Sequence, residues 1–354
     1  MTGNEAVILE FIWIDGRGHL RSKYKTIYPT ITTKEDILDI EQWNYDGSST
    51  FQAETSDSEI VLNPIKYCPN PFITDYKSYL VLCDTYTYSQ TDNKYTPTTS
   101  NHRFEANQYF TKKKELEPWY GIEQEYFIVS SENVEPIPIA FINDKLKPSS
   151  QGEYYCGVGA RQTPFRKLAE KHHIYCLTAG LHISGVNAEV APSQWEFQIG
   201  PCIGINAADE LWIARYILQK LGEEFGVNIS FEPKPLDNPW NGSGLHTNFS
   251  TKLTRSCESG ILGISVIREY IDKLKLKHTE HLAVYGDNSK RLNGICETST
   301  VDTFTCGEGH RGCSIRIPKG VMKDGYGYFE DRRPASNADP YQVSGLIYKT
   351  CCLE

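Results

Sequence analysis

The sequence predicts an α+β protein built from two domains. Three observations predict it. The chain has 354 residues, more than one hydrophobic core usually organises. Its first hundred residues read as short strands separated by turn-forming stretches. Beyond them strands and helices intermix, and several strands follow one another with no helix between, which excludes an alternating doubly wound sheet.

In the first part, strands are expected at 8–14, 20–28 and 79–88. The run A-V-I-L-E-F-I-W-I (6–14) is broken by Glu10, follows an acid rather than Lys or Arg, and ends at Asp15-Gly16, a turn pair. It reads as a strand entering a hairpin and not as a signal peptide. The polar stretch Y-S-Q-T-D-N-K-Y-T-P-T-T-S-N (88–101) reads as a linker or long loop, which gives domains of 1–100 and 101–354. In the second part, Phe104–Glu117 is helical in composition. Phe165, Leu168, Ala169 and His172 recur at helical spacing, Leu211, Ala214, Leu218, Leu221 and Phe225 make a stronger stripe, and 261–277 is a further helix. Strands are expected at 121–129, 181–190, 194–199, 227–232, 245–250, 313–317 and 326–332.

Composition is that of a globular protein, 39% hydrophobic and 23% charged. A net charge of −9 without a basic stripe argues against nucleic acid as a partner. No apolar run approaches the roughly 20 residues a membrane span needs. Eleven cysteines, an odd number with no C-x-x-C and with Cys351 and Cys352 adjacent, fit a reduced cytoplasmic chain better than a secreted one.

The stretch G-I-E-Q-E-Y (121–126) carries the chemistry. On a strand Glu123 and Glu125 share one face, roughly 6.5–7 Å apart, where two carboxylates repel each other and lose hydration. Other strands repeat the pattern. His246, Asn248 and Ser250 share a face, as do Glu330 with Arg332 and Ser314 with Arg316, and Glu189 and Glu196 sit among apolar neighbours. A single polar strand face is usually solvated. Five glutamates and a histidine together on short connected strands suit a hard divalent cation, Mg²⁺ or Mn²⁺. Arg291, Arg311, Arg316, Arg332 and Arg333 cluster in the last fifth of the chain; they are either surface ion pairs or a fork-like site for phosphate or carboxylate.

Other motifs fail. G-E-G-H-R-G (307–312) leads into a strand, C-S-I-R-I-P, whereas a dinucleotide-binding turn leads into a helix. No P-loop and no G-x-S-x-G is present. His278 and His281 lack the H-E-x-x-H context of a zinc protease and read as core or loop histidines.

In order along the chain, W-N-Y-D-G-S-S-T (43–50), G-I-E-Q-E-Y (121–126), Y-Y-C-G-V-G (154–159), N-A-E-V-A-P-S-Q-W-E-F-Q-I-G-P (187–201), N-P-W-N-G-S-G-L-H-T-N-F-S-T (238–251), R-G-C-S-I-R-I-P (311–318) and Y-F-E-D-R-R-P-A-S-N-A-D-P-Y (328–341) resemble the eukaryotic-type glutamine synthetases. Departures are His310 where Asn is usual, Asn293 for Thr and Ala191 for Met; none replaces an expected ligand.

The resemblance implies an N-terminal β-grasp domain and a catalytic α/β domain with a curved antiparallel sheet. It implies homo-oligomeric rings, a decamer in this class, in which the N-terminal domain of one subunit completes a neighbour's active site. It implies ATP-dependent ligation of ammonia to L-glutamate through γ-glutamyl phosphate. Two divalent cations would be held, one by Glu125, Glu189 and Glu196, the other by Glu123, His246 and Glu330. ATP would meet Glu123, Glu196, Phe197, Gln198, Ile199, Gly200, Pro201, Asn248, Phe249, Ser250, Arg311, Arg316, Tyr328, Phe329 and Glu330. Glutamate would meet Asn241, Gly242, Arg291, Arg311 and Arg332. Ammonium would meet Asp46 and Glu297, with Ser49 and Tyr155 nearby, and Arg311 would face the transferring phosphoryl group. A ligase of the same fold that takes an amine in place of ammonium is one rival reading, against which the acidic Asp46/Glu297 pair argues; a non-catalytic relative, against which the filled ligand positions argue, and a nucleotide–metal binding module are the others.

Overall fold

A computed structural model describes residues 6–28, 41–89, 91, 93–132, 138–141, 150–159, 163–237, 239–257, 262–296 and 298–354. The chain forms two compact units, one of residues up to Glu105 with Tyr175–Leu181, the other of Ala106–Ile174 with His182–Glu354.

In the first unit, β1 (Val7–Ile14), β2 (Leu20–Ile27), β3 (Trp43–Asp46), β4 (Glu59–Pro69), β5 (Lys77–Ser89) and β6 (Lys94–Pro97) form a sheet in the order β2-β1-β5-β4-β3, with β6 on β5. The expected hairpin is present: Ile14 faces Leu20 across it. Asp15 organises the turn, its carboxylate accepting from the N–H groups of Arg17 at 2.8 Å and His19 at 2.9 Å and from Arg21 Nε at 2.9 Å. Leu9, Phe11, Trp13, Leu62, Tyr79 and Val81 pack as one core. Glu10, which interrupts the apolar run, is buried, and Asn70 Nδ2 donates to it at 2.9 Å. Part of the polar stretch 88–101 is not a loop, because Lys94–Pro97 pairs antiparallel with the end of β5. Strand β4 escapes sequence reading because Pro64 argues against a strand; the sheet absorbs it at a register shift between Pro64 and Lys66.

The second unit contains β7 (Trp119–Ser130), β8 (Ile183–Ala188), β9 (Gln194–Ile203), β10 (Val227–Ser230), β11 (Leu245–Ser250), β12 (Cys306–Glu308), β13 (Ile315–Ile317) and β14 (Phe329–Asp331). Their order is β12-β13-β14-β11-β7-β9-β8, with β10 on β7, and every pairing is antiparallel except β12 with β13. The α+β expectation holds. Helix α1 (His102–Phe110) is shorter than its composition suggests, since Lys113 adopts a left-handed conformation and only a 3₁₀ turn follows. Helices α2 (Arg166–Thr178), α3 (Asn206–Phe225), α4 (Gly263–Leu276), α5 (His278–Leu282), α6 (Lys319–Asp324) and α7 (Pro340–Tyr348) complete the chain. Among the described residues no helix is long and apolar enough to cross a membrane.

Helix α3 positions the site. Its stripe Leu211, Ala214, Leu218 and Leu221 is buried. Buried Arg215 donates to Gln124 Oε1 on β7 at 2.8 Å and to the carbonyls of Ser336 and Ala338. Gln124 alternates with Glu123 and Glu125, so tying it to α3 turns both glutamates to the opposite side of the sheet.

One arginine of the sequence cluster belongs to the core. Arg333 is fully buried and makes two bonds to Asp331, at 2.9 and 2.6 Å. Burial alone would raise the Asp331 carboxyl, but Arg333 holds it below the usual range. The histidines read as structural are so: His281 meets Tyr285 Oη at 2.6 Å and Thr350 Oγ1 at 3.0 Å, and His278 meets the Val301 carbonyl at 2.9 Å. R333M would leave Asp331 buried without its cation, and is expected to lower the free energy of unfolding by about 3–5 kcal/mol in urea denaturation.

Candidate active site

Register, added to alternation, gathers the acids. Strand β7 lies between β9 and β11. His246 stands opposite Glu123, and Glu125 opposite Glu196, which in turn faces Asn187. Glu330 is opposite both Asn248 and Arg316. Residues directly opposite in antiparallel strands project to the same side with Cβ atoms about 4.5–5.5 Å apart, so one sheet face collects them. His246 Nδ1 lies 3.5 Å from Glu123 Oε2 and 3.7 Å from both Glu125 Oε1 and Glu330 Oε1. Glu123, Glu196 and His246 each bring a ligand atom within 4.8 Å of the others. Glu189, just beyond β8, accepts from Asn187 Nδ2 at 3.0 Å.

The electrostatics of this face are unbalanced. Burial, then the neighbouring Glu189, pushes the Glu125 carboxyl up to about 8, although the Gly244 N–H at 2.8 Å and Gln194 Nε2 at 3.2 Å donate to it. Burial, then Glu123, Glu125 and Glu189, pushes Glu196 up to about 9; Gln198 donates to its carboxylate. His246 is held well below its ordinary value by burial and then by Arg332. Its imidazole is neutral at pH 7, and its contacts with carboxylates are not ion pairs. Carboxylate oxygens around a neutral imidazole form a donor set that fits a hard divalent cation, whose charge would offset the repulsion.

A polar cavity of 270 Å³ opens on this face. Glu123, Glu125, Glu189, Glu196 and His246 line it together with Arg291, Arg311, Arg316, Arg332, Asn241, Gly242 and Tyr155. Glu330, buried beneath, accepts from Arg332 at 2.7 Å and from Arg316 Nε. Arg291 is fixed by Asn288 Oδ1 and by the carbonyls of Arg332 and Arg333, at 3.0–3.1 Å. A second cavity of 580 Å³ shares Glu123 and Gln198 with the first. Its walls include Trp119, Ile199, Gly200, Pro201, Phe249, Tyr328, Asn248 and Ser250, an apolar slot with polar edges of the kind that takes a planar base. Gly200 is required there: its φ is +120°, and a Cβ would come 2.4 Å from the Tyr120 carbonyl oxygen.

Two residues expected at the nucleotide lie in the core. The Phe197 ring packs in the core against Tyr126 and His172, and Phe329 is buried against Phe249. Asp46 and Ser49 belong to the first unit. There the Asp46 carboxylate accepts from Ser48 N–H at 3.0 Å and from the Ser48 and Ser49 hydroxyls at 2.7 Å, which hold it at about 2. Glu297 lies outside the described residues. Sequence reasoning missed Asn187, Cys296 and Thr298, which also line the polar cavity, and Gln194 and Gly244, which bond Glu125. Asn187 could have been found, since it stands two residues before Glu189. The Gly244 backbone donor carries no side-chain signal.

Known proteins share this arrangement of chain. The pattern described as glutamine synthetase, catalytic domain, matches residues 103–347. The glutamine synthetase of Eremothecium gossypii is 48% identical over 98% of this chain and 90% of its own. That of Saccharomyces cerevisiae is 49% identical over 98% of this chain and 89% of its own. The chain belongs to the glutamine synthetase family. A protein of Acanthamoeba polyphaga mimivirus is 50% identical over 98% of this chain and 94% of its own. A solved structure described as "Apo GmaS without ligand" matches at TM-score 0.73 over 97% of this chain and 76% of that one, at 17% identity, a likeness of fold. Glutamine synthetases use ATP and divalent metals.

Because Glu125 and Glu196 bind protons more tightly folded than at the ordinary 4.5, the cation-free folded chain holds more protons than the unfolded chain between that value and about 8–9. Stability therefore falls as pH rises through this window. Thermal unfolding of chelator-treated protein should show that decline, and saturating divalent cation should flatten it.

Proposed function

We propose that the polar cavity transfers the terminal phosphoryl group of ATP to the γ-carboxylate of L-glutamate, and that ammonia then displaces phosphate to give L-glutamine. Family membership gives the overall reaction, ATP-dependent synthesis of glutamine from glutamate and ammonia. The observation that carries the assignment to this site is contiguity. An acid face suited to cations, four arginines and an apolar slot meet around Glu123 and Gln198.

Glu125, Glu189 and Glu196 would hold one cation and Glu123, His246 and Glu330 the other, Mg²⁺ or Mn²⁺. When bound, such cations neutralise phosphate charge and orient the transferring group. The nucleotide would lie along the apolar slot, its base between Trp119, Ile199 and Tyr328, with Asn248 and Ser250 at the edge. Arg316 and Arg311 would face the phosphates, and catalysis is mostly positioning and charge stabilisation. Arg291 and Arg332, with Asn241 and Gly242, would orient glutamate, since the guanidinium fork pairs with carboxylates. Asp46 would accept a proton from ammonium and release the nucleophile. Its depressed carboxyl stays ionised at neutral pH, which suits recognition of a cation. Glu297 would shield the acyl phosphate from water. A homo-oligomeric ring, a decamer in this class, is proposed from the resemblance alone; a cytoplasmic location rests on the cysteine usage, and domains of 1–100 and 101–354 rest on the polar stretch that separates them.

Purified protein given ATP, glutamate, hydroxylamine and Mg²⁺ or Mn²⁺ should form γ-glutamyl hydroxamate, and no product should form with chelator. Failure under all these conditions would remove the assignment. In D46A, amide synthesis should fall by about 100-fold or more while ATP affinity stays close to wild type. Equal losses in both, or none in either, would rule out the proton-acceptor role.

A further inference from the structure

A second cluster of ligating side chains lies in the same unit and contributes to neither cavity. His182 immediately precedes β8, Cys202 lies in β9 and Glu210 in the first half of α3. The His182 backbone N–H donates to Glu210 Oε2 at 2.7 Å, which orients the carboxylate. His182 Nδ1 is 3.0 and 3.1 Å from the two Glu210 oxygens, and Cys202 Sγ is 3.6 Å from Oε2. One ligand atom from each residue lies within 4.8 Å of the other two. The imidazole is exposed while the thiol and carboxylate are buried.

We propose that His182, Cys202 and Glu210 form a site for a borderline-soft divalent cation, zinc above all. Tetrahedral zinc, with bonds of about 2.0–2.1 Å to nitrogen, 2.3 Å to sulfur and 2.0–2.2 Å to oxygen, sets edges of roughly 3.4 Å from nitrogen to oxygen and 3.6 Å from sulfur to oxygen. The cluster already has two of these edges within a few tenths of an ångström, at 3.0–3.1 Å and 3.6 Å, and the third, from imidazole to thiol, lies within 4.8 Å, against roughly 3.6 Å in a tetrahedral zinc site. The donors separate this site from the catalytic face: a thiolate with an imidazole and one carboxylate selects zinc, whereas a face of five carboxylates and a single imidazole selects Mg²⁺ or Mn²⁺. Rigid elements carry the ligands. Cys202 and Glu210 stand on a strand and a helix, and the Gly200 N–H donates to the His182 carbonyl at 2.7 Å. The exposed imidazole leaves the cation an approach from solvent and a fourth position for water. On binding, the Cys202 thiol loses its proton to solvent as the sulfur–metal bond forms, and the proton between His182 Nδ1 and Glu210 is displaced by the cation, leaving a neutral imidazole protonated on Nε2.

The test uses the full chain with excess Mg²⁺, which occupies hard-oxygen sites, and cobalt(II) as a coloured stand-in for zinc. One equivalent of cobalt per chain should give a thiolate-to-cobalt charge-transfer absorption that zinc abolishes. C202S should lose the band, and C296S, whose thiol borders the polar cavity, should keep it. H182A alters an exposed side chain and keeps the test decisive if C202S fails to fold; it should weaken cobalt binding about tenfold or more. Absence of a band at millimolar cobalt, or a band unaffected by both C202S and H182A, would show that the three residues are a hydrogen-bonded cluster only.

Discussion

The alternation of strand β7 is the constraint on which the site depends. Gln124 is tied to Arg215 of helix α3 on one side of the sheet, so Glu123 and Glu125 must stand on the other. A slip of one residue would send both acids against the helix and Gln124 into the cavity. The neighbouring strands extend the pattern because their registers place His246 opposite Glu123 and Glu196 opposite Glu125. The back of the sheet thus fixes the chemistry of the front.

The acid face is not uniformly strained. Glu330 accepts from Arg316 and Arg332, and Glu125 from a backbone N–H and Gln194. Glu196 has Gln198 beside it and three glutamates nearby, and its carboxyl, like that of Glu125, is raised by burial and by its acidic neighbours. In the proposed reading the two halves of the site act reciprocally. Glu330, which accepts from Arg316 and Arg332, would hold the cation, and both arginines would then be left to face an anionic substrate.

Much of this was legible before the fold was known, for a physical reason. Period-2 alternation is local, so the sequence alone places Glu123 with Glu125, His246 with Asn248, and Glu330 with Arg332. Register between strands is not local, and the opposition of Glu125 to Glu196 could not be read from spacing. Arg333 shows alternation available but unused: it falls with Asp331 on the face opposite Glu330 and Arg332, and it is a buried structural ion pair. Strand β4 was hidden by Pro64, and the pairing of Lys94–Pro97 by its polar composition, since an edge strand needs no apolar face. The assignment of particular acids to particular cations, and of glutamate and ammonium as substrates, came from family resemblance and not from the residues themselves.

Strand register makes this sheet face the proposed divalent-cation site. Anomalous scattering from crystals of the protein soaked in Mn²⁺ tests it most directly. Two peaks are expected over the face, one among Glu125, Glu189 and Glu196 and one among Glu123, His246 and Glu330. Fully occupied peaks elsewhere with none on this face would contradict it.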